Sequence, residues 1–364
     1  MANRSNVFEI VLGKDHLGNH VASVIVKRSF RITHGAKVTR CEADHPLRKI
    51  DHYYDDGDPE WATVQHEYEL APYKPETDVV VIGKACAPQG AATQQVNVSV
   101  KVGRKEKTLI VIGDRECRFR ENREPAFSDP VPFSEMEIRY ERAYGGKDET
   151  SVREIPFYYA RNTMGKGVVL RNTKDSVEGL PLPNIEDPND RLTPERLIIE
   201  QPERWHQQPL PQGFGWRQRT WYPRCALLGV YPAFTDVGTV TAEECMGLLP
   251  KNHIALAKQS KLPTYEAEFN NGASLGMTFP DLEGNEQVSL TGFSPNSQLV
   301  FSLPAEKPAI SLDIGKGEKQ LDTQLHTVSV RPDDLEVDLI WRGAYLYEGF
   351  SWWSHSKRLH AEVA

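Results

Sequence analysis

The chain has 364 residues, of which 39% are hydrophobic, enough to bury a large core. Its 43 lysines and arginines stand against 51 aspartates and glutamates, which gives a net charge of -8. Nucleic acid and anionic membranes require a concentrated positive field, so neither is expected as a partner.

Five cysteines are spaced widely along the chain and include no C-x-x-C pair: Cys41, Cys86, Cys117, Cys225 and Cys245. This spacing predicts neither a zinc ribbon nor a redox dithiol, and isolated thiols are typical of a reducing compartment. Glu9 interrupts the only apolar run near the N-terminus, and no apolar run elsewhere is long enough to cross a membrane. We therefore expect a cytoplasmic protein, unless another protein carries it out of the cell.

The N-terminal region, residues 1–150, is dominated by patterns of period two, which are typical of half-buried strands. Apolar and polar residues alternate from Val24 to Ile32, with an interruption at Arg28. Val79–Ile82 is β-branched throughout and predicts a central strand that is buried on both faces. Two more strands and the turn between them predict a hairpin: Gln94–Val102, Gly103–Glu106 and Lys107–Gly113.

The middle segment, residues 151–235, is rich in Pro, Gly, Asn and Trp and predicts loops packed on the N-terminal region. Thr193 and Pro194 predict a short helix, with Thr193 as its cap and Pro202 as its end. A long segment with little regular structure is usually a functional surface or a lid.

The C-terminal region, residues 236–364, returns to strand patterns after a short helix predicted at Thr241–Leu249. Alternation from Leu335 to Trp341 follows a proline turn at Arg331–Asp334. Further strands are predicted at Ser297–Leu303, Ile310–Ile314 and Leu325–Val330. Together these patterns predict a mainly β protein with antiparallel, sandwich-like sheets, a loop-dominated middle segment and few short helices.

No motif for catalysis or metal binding emerges, and we expect no enzyme activity, no metal and no cofactor. The acidic run Asp55, Asp56, Asp58 and Glu60 lacks the spacing of a calcium loop, and Pro59 stiffens it, so a solvated turn is predicted. A carbohydrate-active β-sandwich enzyme stays open as an alternative, because its paired carboxylates need to be close only in space.

Aromatic residues and arginines give the best candidates for partner binding, since Trp, Tyr and Arg dominate interface hot spots. The alternative is that these rings cover the ends of a β core, because Trp is usually largely buried. The candidates lie in the middle segment and near the C-terminus: Trp205, Phe214, Trp216, Trp221, Tyr222, Arg224, Trp352 and Trp353.

Seven stretches resemble one bacterial family, number 2169 among the domains of unknown function. They include a Tyr-Glu-Arg-Ala-Tyr-Gly-Gly signature, a glycine–lysine–glycine element and a Leu-Pro-Asn-Ile-Glu-Asp-Pro string. The stretches are Ala71–Gly83, Ala85–Gly90, Val98–Arg115, Phe133–Gly146, Met164–Gly167, Leu180–Pro188 and Gly213–Arg224. The resemblance covers roughly residues 20 to 345 as one module. Within it, Tyr140, Arg142 and Tyr144 alternate in a predicted strand, and we expect Glu141 and Arg142 to form semi-buried pairs.

The resemblance implies a function in type VI secretion, because members of that family are encoded beside VgrG spike proteins, PAAR-like tip proteins and toxic effectors. It implies an adaptor or chaperone that binds an effector, or its PAAR-like segment, and helps to load it onto the VgrG spike. The alternative is an exported structural component of the spike or baseplate.

Overall fold

The computed structural model describes residues 7–15, 19–150, 156–228, 259, 266–280, 282–296, 298–313, 317–347 and 359–364. The helix predicted at Thr241–Leu249, Trp352 and Trp353 lie outside these ranges. Strands dominate the described residues, which confirms the prediction of a mainly β protein. None of the helices in these ranges has the length and the hydropathy to cross a membrane.

The described residues of the N-terminal region form fifteen strands. They are β1 (Phe8–Lys14), β2 (His20–Arg31), β3 (Ala36–Lys37), β4 (Thr39–Arg40), β5 (His52–Tyr53), β6 (Val64–His66), β7 (Thr77–Val81), β8 (Lys84–Cys86), β9 (Gln95–Val102), β10 (Lys105–Ile112), β11 (Cys117–Phe119), β12 (Pro125–Phe127), β13 (Glu135–Glu137), β14 (Tyr144–Gly145) and β15 (Lys147–Asp148).

The remaining described strands are β16 (Phe157–Tyr158), β17 (Lys166–Gly167), β18 (Ile185–Glu186), β19 (Thr278–Phe279), β20 (Gln287–Thr291), β21 (Gln298–Ser302), β22 (Ile310–Asp313), β23 (Glu318–Leu321), β24 (Thr323–Arg331), β25 (Glu336–Tyr347) and β26 (His360–Val363). One α-helix is present in the described ranges, α1 (Lys174–Val177). Short 3-10 helices occupy Tyr54–Asp56, Pro88–Gly90, Tyr140–Arg142, Pro194–Arg196, Pro202–Gln207, Arg224–Leu228 and Ala267–Asn270.

The largest sheet interleaves both ends of the chain, in the order β1-β2-β25-β24-β7-β19, with β4 paired to β2. The strands β2 and β25 pair antiparallel along their whole lengths, from His20 opposite Tyr347 to Arg31 opposite Glu336. The strand β7 is buried throughout and joins β24 in parallel, as expected of a central strand. The N- and C-terminal regions therefore share one sheet.

A second sheet has the order β18-β10-β9-β20-β21-β3 and contains the predicted hairpin, β9 with β10. Lys105 already pairs with Val102, so Gly103 and Arg104 alone form the turn, which is shorter than predicted. Gly103 has a φ of +58°, as two-residue hairpin turns require. Side chains from both sheets form one hydrophobic cluster, and Val79, Val98 and Leu339 at its centre are fully buried.

The other face of the largest sheet carries charges that are buried instead of solvated. Lys27 on β2 and Asp338 on β25 are both 0% exposed. The Nζ of Lys27 donates to the carboxylate of Glu69, at 2.6 Å, and lies 3.8 Å from Asp338. Leu47 and Leu70 cover this face, packed against apolar residues of β2 and β25. The alternation in β2 thus marks two buried faces.

Three local predictions are wrong. Tyr140–Arg142 forms a 3-10 turn instead of a strand, so only Tyr144 begins a strand. Leu335 has a φ of +53° and is 45% exposed, because it belongs to the turn that precedes β25. Thr193 precedes the 3-10 turn Pro194–Arg196 but makes no side-chain capping bond, because its side chain hydrogen-bonds to the carboxylate of Glu195 instead.

The middle segment builds a second hydrophobic cluster with the N-terminal region. Phe157, Tyr159, Leu197 and Trp205 are buried there beside Tyr144 of β14. The regular structure between 156 and 228 is limited to two-residue strands, α1 and 3-10 turns. Side-chain packing therefore holds this segment in place, and extended backbone ladders do not.

Candidate functional site

Four of the family-like stretches, distant in sequence, meet at one place in the fold. The amide of Asn184 donates to the main-chain carbonyl of Ile112 and to Asp114, both at 3.0 Å. The Nζ of Lys166 donates to Asn184 at 3.0 Å, and the main-chain NH of Asn184 donates to the carbonyl of Arg142 at 2.7 Å. Burial lowers the pKa of Lys166, opposed by the carboxylate of Asp114. We call Asp114, Arg142, Lys166 and Asn184 the motif cluster.

Glycines bring two main-chain segments of this region into direct contact. The strands β14 and β17 pair in parallel, and the NH of Gly146 donates to the carbonyl of Asn162 at 2.8 Å. A Cβ added at Gly145 would lie 2.3 Å from the oxygen of Asn162, and one at Gly146 would lie 2.3 Å from the oxygen of Gly165. No side chain fits between the segments, so their main chains pack directly on each other.

The signature Glu141 holds a neighbouring loop. Its carboxylate accepts hydrogen bonds from the main-chain NH of Thr63, at 2.8 Å, and from the hydroxyl of Thr63. Gln218 donates to the carbonyl of Ala62, at 2.8 Å. Glu141 thus binds a loop and pairs with no cation among the described residues, contrary to expectation, whereas Arg142 lies 3.7 Å from the carboxylate of Asp114, as expected of an ion pair. The loop that these bonds fix presents Trp61.

Two adjoining clefts open on either side of Trp61, and Trp61 and Thr163 line both. The first cleft has a volume of about 510 Å³, and its walls include Tyr53, Glu60, Tyr158, Gln218 and Arg219. The second has a volume of about 530 Å³, and its walls include Gly146, Lys147, Lys166, Asp175 and Glu178. Each volume falls in the range typical of ligand sites. We call the two clefts together the Trp61 groove.

Trp61 is 45% exposed, although a large aromatic side chain is normally buried. Its ring lies 6.1 Å from the ring of Tyr158, measured between centroids, and the Nζ of Lys147 lies 5.8 Å from its centroid. The side chain is therefore placed by its neighbours and still accessible.

The groove is predominantly acidic: seven carboxylates and three cations line it. Several of these charges are compensated within the protein, since Arg219 lies 2.6 Å from Asp51 and Lys147 lies 3.0 Å from Glu149. Asp148 is buried and accepts hydrogen bonds from main-chain amides. The lining thus combines a fixed polar floor, an exposed indole and excess negative charge.

Most of the predicted binding residues lie in the interior. Trp205 and Tyr222 pack edge to face in the second hydrophobic cluster, with ring centroids 5.1 Å apart. Trp221 packs against Tyr140 at 5.0 Å, and Phe214 is fully buried. Since these four side chains are buried, the prediction that they form a contact surface does not fit the structure.

The same correction applies to the other two described candidates. Trp216 is 4% exposed and lies in the core shared by the sheets. Arg224 is 2% exposed, and its guanidinium lies 2.6 Å from the carboxylate of Glu67. Both residues stabilise the fold. Trp352 and Trp353 lie outside the described residues.

The remaining sequence candidates for chemistry lie at ordinary positions. The acidic turn is exposed, and Asp55 lies 2.6 Å from Arg139. The part of the chain that the structure describes contains no group of three His, Cys, Asp or Glu residues that could hold a metal ion. Burial raises the pKa of Cys225 to about 11, which keeps this thiol protonated at neutral pH.

Sequence reasoning did not single out Trp61, Tyr158 or Asp175. Their positions along the groove depend on contacts between residues far apart in the chain, which a single sequence does not reveal. The available signal was indirect: the acidic turn leads into Trp61, and the signature and glycine–lysine–glycine stretches form the adjacent floor.

A comparison with protein families matches residues 17–342 to the family described as "Uncharacterized protein conserved in bacteria (DUF2169)". The match covers most of the chain and agrees closely with the extent of the resemblance seen in the sequence. No curated protein and no solved structure matches the chain.

Proposed function

Because the chain belongs to the DUF2169 family, we propose that it is a cytoplasmic adaptor of type VI secretion. It binds an effector, or the PAAR-like segment of an effector, and helps to load it onto the VgrG spike. The role is binding and not catalysis.

The observation that carries this proposal is the exposed Trp61 between two clefts, the second of which is lined in part by glycines. Exposed aromatic side chains set in a groove are typical anchors of protein interfaces, because they supply a large contact area at a small entropic cost. Hydrogen bonds from Thr63 and Gln218 and the close main-chain contacts at Gly145 and Gly146 fix the walls of the groove, so a partner would meet a preformed surface.

Affinity purification from the native host tests the proposal. We expect the tagged chain to retain an effector with a PAAR-like segment, and a deletion of its gene to abolish delivery of that effector by the secretion system. If delivery is intact in the deletion strain and neither effector nor VgrG is retained, the proposal is wrong.

The same cultures test the alternative of an exported spike or baseplate component. An adaptor stays in the cells, whereas an exported component appears in the secreted fraction together with VgrG. Detection of the chain there, in amounts comparable to VgrG, would favour the structural role.

A further inference from the structure

We infer that the Trp61 groove holds an extended, arginine- or lysine-bearing segment of the partner protein. This inference rests on the adaptor role proposed above. It adds the place where the partner binds and the chemistry that the partner presents.

The charge of the groove favours a cationic occupant. Among the described residues, Glu60 in the first cleft and Asp175 in the second are exposed lining carboxylates without an ion pair. A positively charged side chain in each cleft would restore local neutrality. The excess of carboxylates repels phosphate, so nucleic acid and anionic lipid are disfavoured for the same reason.

The exposed indole supports the same occupant. Cations are attracted to the face of Trp within about 6 Å of the ring centroid. The ammonium of Lys147 lies 5.8 Å from the Trp61 centroid, but Glu149 compensates its charge at 3.0 Å, which limits its repulsion of a second cation. An arginine of the partner adds planar stacking to this attraction, which a lysine cannot provide.

The floor of the second cleft favours an extended segment over a helix. Gly145, Gly146, Gly165 and Gly167 line it, and none carries a side chain that would keep another backbone away. Two clefts separated by a single indole suit a chain that passes over Trp61 and places one side chain on each side. A helix is about 10 Å wide with its side chains and needs a broader trough.

Fluorescence anisotropy with the full-length protein tests the inference directly. The probes are two fluorescein-labelled peptides of about nine residues, one of alternating Arg and Gly and one of alternating Glu and Gly. We expect the Arg peptide to bind, more weakly as salt approaches ~0.15 M, and the Glu peptide not to bind. Preference for the Glu peptide, or binding of neither, would overturn the inference.

Variants locate the binding. Trp61→Ala should lower the affinity for the Arg peptide by about tenfold or more, which is the loss expected when an interface anchor is removed. The matched control is Leu335→Ala, because Leu335 is also 45% exposed but lines neither cleft. Equal affinity of Trp61→Ala and the control would place the peptide elsewhere and refute the inference.

A second pair of variants leaves the indole intact. Glu60→Lys and Asp175→Lys change only exposed side chains, so both should fold, as circular dichroism can verify. Each substitution should lower the affinity for the Arg peptide by about tenfold and make that affinity less dependent on salt. Unchanged binding in both would show that charge does not select the occupant.

Purification from the host separates this inference from the proposed function. If Trp61→Ala retains the effector as well as the unchanged protein does, the adaptor role stands and the groove is not its contact surface. If the unchanged protein retains no effector but binds the Arg peptide through Trp61, the groove chemistry stands and the secretion role fails.

Discussion

Replacement of Asp338 by Asn tests the buried charges between β2, β24 and β25. The carboxylate of Asp338 accepts hydrogen bonds from Ser29, at 2.6 Å, and from Arg331, at 2.7 Å, and is 0% exposed. Burial alone would raise its pKa, but the charges of Lys27 and Arg331 outweigh burial and hold the pKa well below its usual range.

The expected loss follows from these contacts. Removal of one partner from a buried ion pair costs about 3–5 kcal/mol, because the other charge is left uncompensated. Here Lys27 keeps Glu69, at 2.6 Å, and Arg331 keeps Glu336, at 3.1 Å. We therefore expect a loss at the lower end of this range: Asp338→Asn should lower the free energy of unfolding by about 3 kcal/mol at pH 7.

Urea denaturation measures this loss as a shift of the midpoint at unchanged slope. The control is Asp334→Asn, whose carboxylate lies 3.3 Å from the same Arg331 but is 62% exposed, and which should cost less than about 0.5 kcal/mol. The pKa of Asp338 is lowered by folding, so its contribution is lost as pH falls below about 4, and the gap between wild type and Asp338→Asn should narrow there. Equal losses for the two variants would refute the reasoning.

Three further predictions concern the groove and the acid stability of the fold. Gly146→Ala should lower the free energy of unfolding by roughly 3 kcal/mol, since the added Cβ would clash with a carbonyl oxygen and the residue has a φ of +94°. Gly35→Ala, at a φ of +74° but in open space, should lower it by only about 1 kcal/mol, and urea denaturation midpoints compare the two variants. Thr63→Val removes the hydroxyl that is hydrogen-bonded to Glu141, so it should lower the free energy of unfolding by about 2 kcal/mol and reduce the affinity for the Arg peptide. Unchanged affinity for the peptide would show that this hydrogen bond does not position Trp61. Burial and nearby cations lower the pKa of His66 from 6.5 to about 3. As pH falls between these values, the free energy of unfolding of the wild type should therefore decrease by up to about 1 kcal/mol per pH unit more than that of His66→Gln. Parallel plots of stability against pH for the two proteins would contradict this.

The sequence predicted those strands whose pairing is local or whose alternation is strict. The β9–β10 hairpin is an example, because its register follows from one short turn and four alternating valines. Burial of Lys27 in β2 was not predictable in this way, since it depends on Glu69 and on a covering loop supplied by another part of the chain.

At the candidate site, too, local sequence features were predictable and features that depend on tertiary contacts were not. Composition identified tryptophans as notable, but whether a tryptophan is exposed depends on tertiary packing, and the tight grouping from Trp205 to Tyr222 marks a core. Trp61 stands alone in the sequence, and long-range hydrogen bonds from Thr63 to Glu141 and from Tyr140 to Thr63 bring its loop to the signature stretch. The family could be inferred from short strings, whereas the groove required their arrangement in space.

Beneath Trp61, main chain packs directly on main chain, so the shape of the groove does not depend on the side chains that select its occupant. A base made of peptide groups around Gly146 and Gly165 keeps one contour whatever side chains surround it. Glu60 and Asp175 are exposed and have no ion pair in the described structure, so they can be exchanged without disturbing that base. Substitutions at these two margin positions should therefore change the charge that the groove prefers and leave the shape of its base unchanged.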